Sequence, residues 1–173
     1  YAAEQELIVT TPYFVPDATV LTALCTAASR GVEVTLILPK RNDAPLVDHA
    51  GRASYRVLLE SGVRILRYEP GLLHAKTVSV DGKVALIGSA NLDQRSFRIN
   101  FECTLVVYDD TLASELRALQ HAYADASEAT AATPTPSWSS VKARWATLPM
   151  TSTSSSTSSD TSPCGHSPGH PVP

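Results

Sequence analysis

A strand, a helix and a second strand follow one another within the first 38 residues, and this order constrains the fold most. Residues 7–10 form a short apolar run rich in β-branched side chains, which predicts a buried strand. Asp17 is a favourable N-cap for a helix that ends at Gly31, and residues 32–38 form a second, continuous apolar run. A strand–helix–strand unit of this length predicts two parallel strands. The first part of the chain therefore predicts an α/β domain.

Segments with helical and strand patterns continue to alternate as far as residue 126. Helices are predicted over residues 46–61 and 111–126, and strands over residues 63–68, 72–80, 83–87 and 101–108. Asp81-Gly82 is a strong two-residue hairpin signal, so the strands on either side of it are expected to pair antiparallel. Parallel and antiparallel pairs together predict a mixed β-sheet sandwiched by helices.

The predicted strand over residues 72–80 carries the first part of a motif with chemical meaning. The spacing H-x-K-x4-D-x6-G-S-x-N is met without a gap by His74, Lys76, Asp81, Gly88, Ser89 and Asn91. Residues two apart on a strand project from the same face, so His74 and Lys76 would place an imidazole beside an ammonium. Followed by small, donor-rich residues, this pair suits a phosphate diester, because it offers a nucleophile or acid, a cation and room for close approach.

This motif resembles that of the phospholipase D superfamily. The stretch LHAKTVSVDGKVALIGSANLDQRSFRINFE, residues 73–102, is similar in particular to the second half of a bacterial cardiolipin synthase. The segment TPYFVPD, residues 11–17, and residues 31–39 extend the similarity, which covers residues 1–127. The resemblance implies a phospholipase D-like fold and a partner half that this chain lacks.

The resemblance also implies roles for the motif residues. In the superfamily one histidine attacks the diester to form a phosphohistidine, and a second one protonates the leaving alcohol. His74 would be the acid and base where a first half is present, and would take either role in a symmetric dimer. Lys76 would bind a non-bridging phosphate oxygen, while Ser89 and Asn91 would bind the substrate through hydroxyl and amide donors.

Two acidic residues complete the predicted site. Asp81 is counted with the catalytic candidates because it belongs to the motif, but it lies off the His74 face and an Asp-Gly turn accounts for it, so a structural role is favoured. Glu102 matches the acid that in the family orients the histidine and fixes its tautomer, with an ordinary surface glutamate as the alternative. Tyr13 and Phe14 match an aromatic rim near the family's active site, and core packing accounts for them nearly as well.

Composition narrows the classes of partner and cofactor. The net charge of −3 argues against a general basic field, so no nucleic acid partner is expected. No metal-ligand pattern appears and the superfamily's chemistry implies none, so neither a metal nor a cofactor is expected. Cys25 and Cys103 fall in predicted apolar segments and are expected to be small core residues. No apolar run reaches the roughly eighteen residues of a membrane span, so no transmembrane segment is predicted.

The composition changes after residue 128. Between residues 129 and 173 there are 8 Thr, 11 Ser and 7 Pro, together 26 of 45 residues. A segment so poor in large apolar side chains cannot offset its ordering entropy. We therefore predict a catalytic domain over residues 1–128 and a disordered Ser/Thr/Pro-rich tail over residues 129–173. Because the chain begins with Tyr1 in strand-like sequence, a truncated product is expected.

The leading functional hypothesis is a phosphatidyltransferase similar to cardiolipin synthase, present as an incomplete half. It would transfer a phosphatidyl group between phosphatidylglycerol molecules at a membrane surface, on the cytoplasmic face of the cell membrane in the full-length protein. The second motif would come from the other half in cis or from a homodimer mate. Two alternatives stay open: a single-motif phosphodiesterase or nuclease acting as a homodimer, and an inactive fragment.

Overall fold

The computed structural model describes residues 1–131, which form a seven-stranded mixed sheet with helices on both faces. In chain order its elements are β1 (Glu6–Thr10), β2 (Phe14–Val15), α1 (Ala18–Ser29), β3 (Glu33–Pro39), α2 (Pro45–Glu60), β4 (Arg64–Tyr68), β5 (Thr77–Val80), β6 (Val84–Gly88), β7 (Leu92–Asp93), α3 (Gln94–Arg98), β8 (Thr104–Val107), α4 (Asp110–Asp125) and β9 (Ser127–Ala129). The order across the sheet is β8-β6-β5-β1-β3-β4-β9, and β2 pairs separately with β7. The predicted mixed α/β architecture is confirmed.

Strand β1 joins a parallel part of the sheet to an antiparallel part. It runs parallel to β3, which runs parallel to β4, as the predicted strand–helix–strand unit requires. On its other side β1 pairs antiparallel with β5, and β6 and β8 continue the antiparallel pairing to the edge. The strand that follows His74 and Lys76 therefore lies in the middle of the sheet, next to the junction.

The core has two layers because successive strand residues point to opposite faces of the sheet. On one face the strand residues Val9, Leu36 and Ile65 share a buried cluster with Leu24 of α1 and Leu58 of α2. On the other face buried and half-buried side chains pack with α4; they include Ile8, Ile37, Leu66 and Tyr123. Both faces of the parallel strands are thus covered, which explains why residues 32–38 are continuously apolar.

The turn and capping signals of the sequence act as predicted. The Asp17 side chain accepts a hydrogen bond from the Val20 N–H at 2.9 Å and starts α1. Gly31, just past the end of α1, has a φ of 89°, a value that a side chain would disfavour. Asp81 and Gly82 have φ values of 53° and 62°, as a type I′ turn requires, and they connect β5 to β6.

Two predicted strands are shorter in the structure. The strand predicted over residues 72–80 begins only at Thr77, so residues 71–76 have no regular secondary structure. The physical reason is the partner strand: β1 ends at Thr10, opposite Thr77, and offers no further pairing. Likewise β8 begins at Thr104, which leaves Cys103 exposed, so its predicted core position is wrong. Cys25 is half-buried against the core formed with α1.

Four short elements were not predicted: β2, β7, α3 and β9. Strand β9 pairs antiparallel with β4, and the Thr130 N–H just beyond it donates to the Ile65 carbonyl at 2.8 Å. The disordered tail predicted over residues 129–173 lies, from residue 132 on, outside the described residues. Within residues 1–131 no helix has the length and apolar character needed to cross a membrane.

Candidate active site

The two parts of the motif lie side by side where β1 ends. Thr10, the last residue of β1, pairs with Thr77, the first residue of β5. Lys76 precedes Thr77, and its carbonyl accepts the N–H of Gly88 at 3.1 Å. Gly88 is the last residue of β6, so the segment before β5 and the loop after β6 meet at one end of the sheet.

Gly88 is a glycine because strand β8 passes too close for a side chain. A Cβ built on Gly88 would lie 2.6 Å from the Cys103 carbonyl oxygen and 2.6 Å from Thr104 Oγ1. The Ser89 N–H then donates to the same Cys103 carbonyl at 3.0 Å. The glycine of the motif is thus explained by the close approach of β6 and β8, which fixes where Ser89 lies.

His74 is exposed, and its imidazole packs against the ring of Tyr13. The two ring centroids are 5.9 Å apart with an interplanar angle of 85°, an edge-to-face arrangement. Lys76 Nζ donates a hydrogen bond to the His74 carbonyl at 3.0 Å. This bond joins the Lys76 side chain to the His74 backbone, so the irregular segment before β5 positions the two residues, instead of the strand alternation that we predicted.

Lys76 is a half-buried cation with the carboxylates of Glu102 and Asp43 nearby. Burial lowers the pKa of the Lys76 ammonium, and the Glu102 and Asp43 carboxylates partly offset that effect. Thr10, Gly88 and Lys76 line one side of a small cavity of about 150 Å³ at this end of the sheet. A cation that is partly removed from water beside a cavity attracts a phosphate oxygen more strongly than a fully exposed one does.

Glu102 bonds to Ser89 and Asn100. The Ser89 hydroxyl donates to Glu102 Oε2, and Asn100 Nδ2 donates to Glu102 Oε1 at 3.0 Å. These hydrogen bonds, that from Ser89 foremost, lower the pKa of the Glu102 carboxyl and keep it ionised. The contact between Glu102 and the imidazole of His74 that the resemblance implies is absent among the described residues. Its role as the orienting acid therefore stays a prediction.

Asn91 points into the protein. Its N–H and its side-chain Nδ2 approach Ser96 Oγ at 3.0 and 3.4 Å, and Ser96 is buried at the start of α3. Asn91 Oδ1 is buried and has no hydrogen-bond partner within residues 1–131. The structure thus ties Asn91 to the fold of the loop between β6 and α3, and its predicted contact with substrate stays untested.

Asp81 lies at the opposite end of β5 from Lys76. The four strand residues between them span about 13 Å at roughly 3.3 Å per residue. The Asp81 carboxylate accepts the backbone N–H groups of Glu4, Gln5 and Glu6 at 3.0, 2.8 and 2.8 Å. Its motif spacing does not bring it to His74, and the contacts agree with the structural role favoured from the sequence.

One residue near His74 escaped the sequence analysis. Asp43 Oδ1 accepts the Tyr13 hydroxyl at 2.7 Å, and Tyr13 in turn contacts His74. Asp43 belongs to the polar connection after β3, far from the motif in sequence, and no spacing rule pointed to it. The aromatic pair Tyr13-Phe14 was the available signal, and the structure separates its members: Phe14 is buried in the core, while Tyr13 faces the site.

Comparison with known proteins identifies the family. A model described as "Cardiolipin synthase, PLD-like domain" matches residues 1–122. This chain belongs to that family. It is 53% identical over 123 residues to cardiolipin synthase A of Serratia proteamaculans, and 54% identical over 123 residues to that of Klebsiella pneumoniae. Each match covers 71% of this chain and 25% of the relative, so the chain spans about a quarter of the length of these relatives.

Solved structures agree on the fold of this cardiolipin synthase-like domain. Nuc of Salmonella typhimurium, a phospholipase D family member, superposes with a TM-score of 0.68 at 20% identity, over 75% of this chain and 84% of its own. Phosphatidylserine synthase of Haemophilus influenzae superposes with a TM-score of 0.65 at 22% identity, over 75% of this chain and 34% of its own. At these identities the likeness establishes the phospholipase D-like fold.

Proposed function

We propose that this domain is one catalytic half of a phosphatidyltransferase that makes cardiolipin from phosphatidylglycerol. The observation that carries the proposal is the exposed side chain of His74 close in the chain to the half-buried ammonium of Lys76, which donates to the His74 carbonyl at one end of the sheet. The family match over residues 1–122 supports the choice of phospholipid as substrate. In the full-length protein the substrate would be reached at the cytoplasmic face of the membrane, without a metal or other cofactor.

The proposed reaction has two steps at phosphorus. A histidine of a second motif attacks the phosphorus of one phosphatidylglycerol, the bond to the glycerol oxygen breaks, and His74 as imidazolium gives that oxygen its proton. The neutral His74 then takes the proton of a hydroxyl group of a second phosphatidylglycerol. That oxygen attacks phosphorus and displaces the first histidine. Two phosphatidylglycerol molecules become one cardiolipin and one glycerol.

Lys76 would act on the phosphate itself. Its ammonium would bind a non-bridging oxygen, whose negative charge increases as the fifth bond to phosphorus forms. Ser89 and Asn91 would add neutral donors on the same side of the phosphate. Their present hydrogen bonds to Glu102 and Ser96 would have to be shared with, or exchanged for, those to the substrate.

The second histidine must come from outside this chain's single motif. The sequence has the H-x-K pattern once, at His74 and Lys76. Because the chain spans about a quarter of its curated relatives, a partner half in cis or a second copy of the chain would complete the site. The domain is therefore proposed to be incomplete when it is alone and monomeric.

The test is cardiolipin formation by the purified 173-residue chain with phosphatidylglycerol vesicles, followed by mass spectrometry together with glycerol release. The vesicle assay is repeated with variants H74N and K76M and with the control H49N, which changes an exposed histidine of α2. We expect H74N to lower the rate by about 10²–10⁴-fold and K76M by about 10²–10³-fold. H49N should behave as the wild type. An activity equally present in H74N would contradict the proposal.

A second candidate is a phosphodiesterase that works as a homodimer. It is favoured by one observation: this chain covers 84% of the Salmonella Nuc chain, so a phospholipase D family member of similar size exists as a separate chain. Two copies would supply two His74 side chains to one symmetric site. Hydrolysis of bis-(4-nitrophenyl) phosphate, or of DNA at low salt, without cardiolipin formation would favour this candidate. No activity on either substrate would favour the inactive fragment.

A further inference from the structure

The imidazole of His74 is held by an aromatic contact. Within residues 1–131 no hydrogen bond reaches either ring nitrogen, while the Tyr13 ring lies edge-to-face against it at 5.9 Å. A histidine that transfers protons must present one ring nitrogen in a fixed direction, because small misplacements of reacting groups cost large factors in rate. The edge-to-face contact with Tyr13 is therefore a restraint on the direction of the His74 ring.

Tyr13 is itself anchored at both ends. Its hydroxyl donates to Asp43 Oδ1 at 2.7 Å, and its carbonyl accepts the Thr11 hydroxyl at 2.9 Å. The hydrogen bond to Asp43, with burial and the carboxylate charge, raises the pKa of the Tyr13 hydroxyl, so it stays a donor at neutral pH. The ring is thereby pinned between its backbone and a carboxylate on a different loop.

The loop that carries Asp43 is fastened to the loop that carries Tyr13. Asn42 Nδ2 donates to the Pro12 carbonyl at 3.0 Å, and Asn42 Oδ1 accepts the Ala44 N–H at 2.8 Å. Asp43 lies between Asn42 and Ala44, and both of these neighbours are held by the hydrogen bonds of the Asn42 side chain. The connection after β3 and the segment after β1 are therefore hydrogen-bonded to each other, and together they hold the Tyr13 ring that contacts His74.

We propose that Tyr13, anchored by Asp43, is the positioning residue of His74. Glu102, to which the resemblance assigns an orienting role, has its two carboxylate oxygens bonded to Ser89 and Asn100 in this structure. Asp43 acts through the tyrosine hydroxyl and needs no contact of its own with the imidazole. The importance of this for rate rests on the proposed function of His74, but the restraint on the ring does not.

The first test is spectroscopic and uses the 173-residue chain without substrate. Nuclear Overhauser contacts between the rings at positions 13 and 74, and ¹³C relaxation of the His74 ring, report the restraint; H74N assigns the signals among the five histidines. We expect Y13L to free the ring, and Y13F and D43A each to weaken the contact and increase ring motion. Y13F/D43A should change no more than either single variant, because both remove the same hydrogen bond. D43N, which keeps an oxygen acceptor, should rescue most of the effect.

The matched control is Y1L, which removes an equally large but 66% exposed ring at the first residue of the chain. It should leave the His74 signals unchanged, and backbone spectra of every variant check that the fold is retained. An unchanged His74 ring in Y13F and D43A, or effects that add in the double variant, would overturn the proposal.

The kinetic test applies to the active form. Y13L should lower kcat by about 3- to 10-fold with KM changed less than about twofold, since positioning acts on the reacting group and not on substrate affinity. A loss confined to KM would overturn the positioning role. An inactive wild-type chain would speak against the proposed function alone, because the spectroscopic result does not depend on turnover.

Discussion

Three backbone N–H groups, those of Glu4, Gln5 and Glu6, converge on the carboxylate of Asp81. Burial opposes ionisation of Asp81, but these N–H groups outweigh it and lower the pKa of the carboxyl below its usual value. A pKa that is lower in the folded than in the unfolded state stabilises the fold at any pH above the unfolded value of about 4, and that contribution is lost as the pH falls through the folded value. Asp81 thus fastens the segment before β1 to the β5–β6 turn.

For D81N we expect a lower free energy of unfolding at pH 7, by about 2 kcal/mol, because an amide places donors towards backbone donors. The difference from the wild type should shrink below about pH 4, where the wild-type carboxyl also takes up a proton. Urea unfolding at pH 7 and pH 3 measures both effects. D125N, at an exposed position near the end of α4, is the control. A D81N chain of full stability that had lost its activity would instead favour the catalytic role.

The sequence predicted a set of candidate site residues, but it did not predict the contacts that these residues make. His74 and Lys76 follow from their spacing, and the structure shows the Lys76 ammonium bonded to the His74 backbone carbonyl. The contact of Asp43 with Tyr13, which in turn contacts His74, depends on how two loops meet in the folded chain, and a pair 30 residues apart leaves no periodic pattern. Glu102 was predicted from the resemblance, but its partners depend on side-chain geometry around Ser89 that spacing does not determine.

Helix α4 contributes a polar clamp beneath the motif strand. Gln120 is fully buried, and its Nε2 approaches Thr10 Oγ1 at 3.2 Å and Thr77 Oγ1 at 3.1 Å. Thr10 ends β1 and Thr77 begins β5, and the two form the terminal pair of these strands. Lys76, which precedes Thr77, lies just outside the sheet. The clamp therefore holds together the strand ends from which the site begins.

For Q120L we expect a loss of about 1–3 kcal/mol in unfolding free energy, because buried threonine groups lose a partner and gain none. The exposed E115Q on the same helix should be neutral within about 0.5 kcal/mol. Thermal and urea unfolding measure the change, and amide hydrogen exchange at Thr10 and Thr77 locates it. Unaltered exchange at these two amides would contradict the clamp, whatever the overall stability.

Long elements were predictable and short ones were not. α1, α2 and α4 have 12 to 16 residues, long enough for a helical period to appear in the sequence. β2, β7 and β9 have two or three residues, and each exists only because a distant strand offers it hydrogen bonds. The predicted strand over residues 72–80 was too long for a related reason, since the length of a strand depends on its partner.

At the scale of the whole domain, one edge of the sheet has no further strand beside it within residues 1–131, and it carries exposed apolar side chains. β8 is the terminal strand, and Leu105 and Val106 are 62% and 45% exposed. Phe101 and Tyr108, on either side of β8, are also exposed. An unpaired strand edge with apolar side chains is a site for pairing with another chain. It adjoins Ser89 and Glu102, where the proposed second half would have to approach.

We expect the purified chain to self-associate, with a mass that rises with concentration in light scattering behind a sizing column. L105K should raise the dissociation constant about tenfold or more, because two like charges would face each other across a symmetric contact. L46K is the matched control, since Leu46 is 84% exposed at the start of α2 and lies away from β8. Equal masses for L105K and the wild type would place the contact elsewhere.

The pairing of β1 with β5 also determines when the site comes into existence during folding. The parallel strands β1, β3 and β4 are joined by local connections, but Thr10 and Thr77 are about 67 residues apart in the chain. Closing so long a loop costs entropy before its contacts form, so such pairings tend to be late events. A chain that had folded only β1, β3 and β4 would have much of its apolar core but would lack the candidate active site. Incomplete folding can therefore abolish function in a molecule whose measured size is still that of a compact protein.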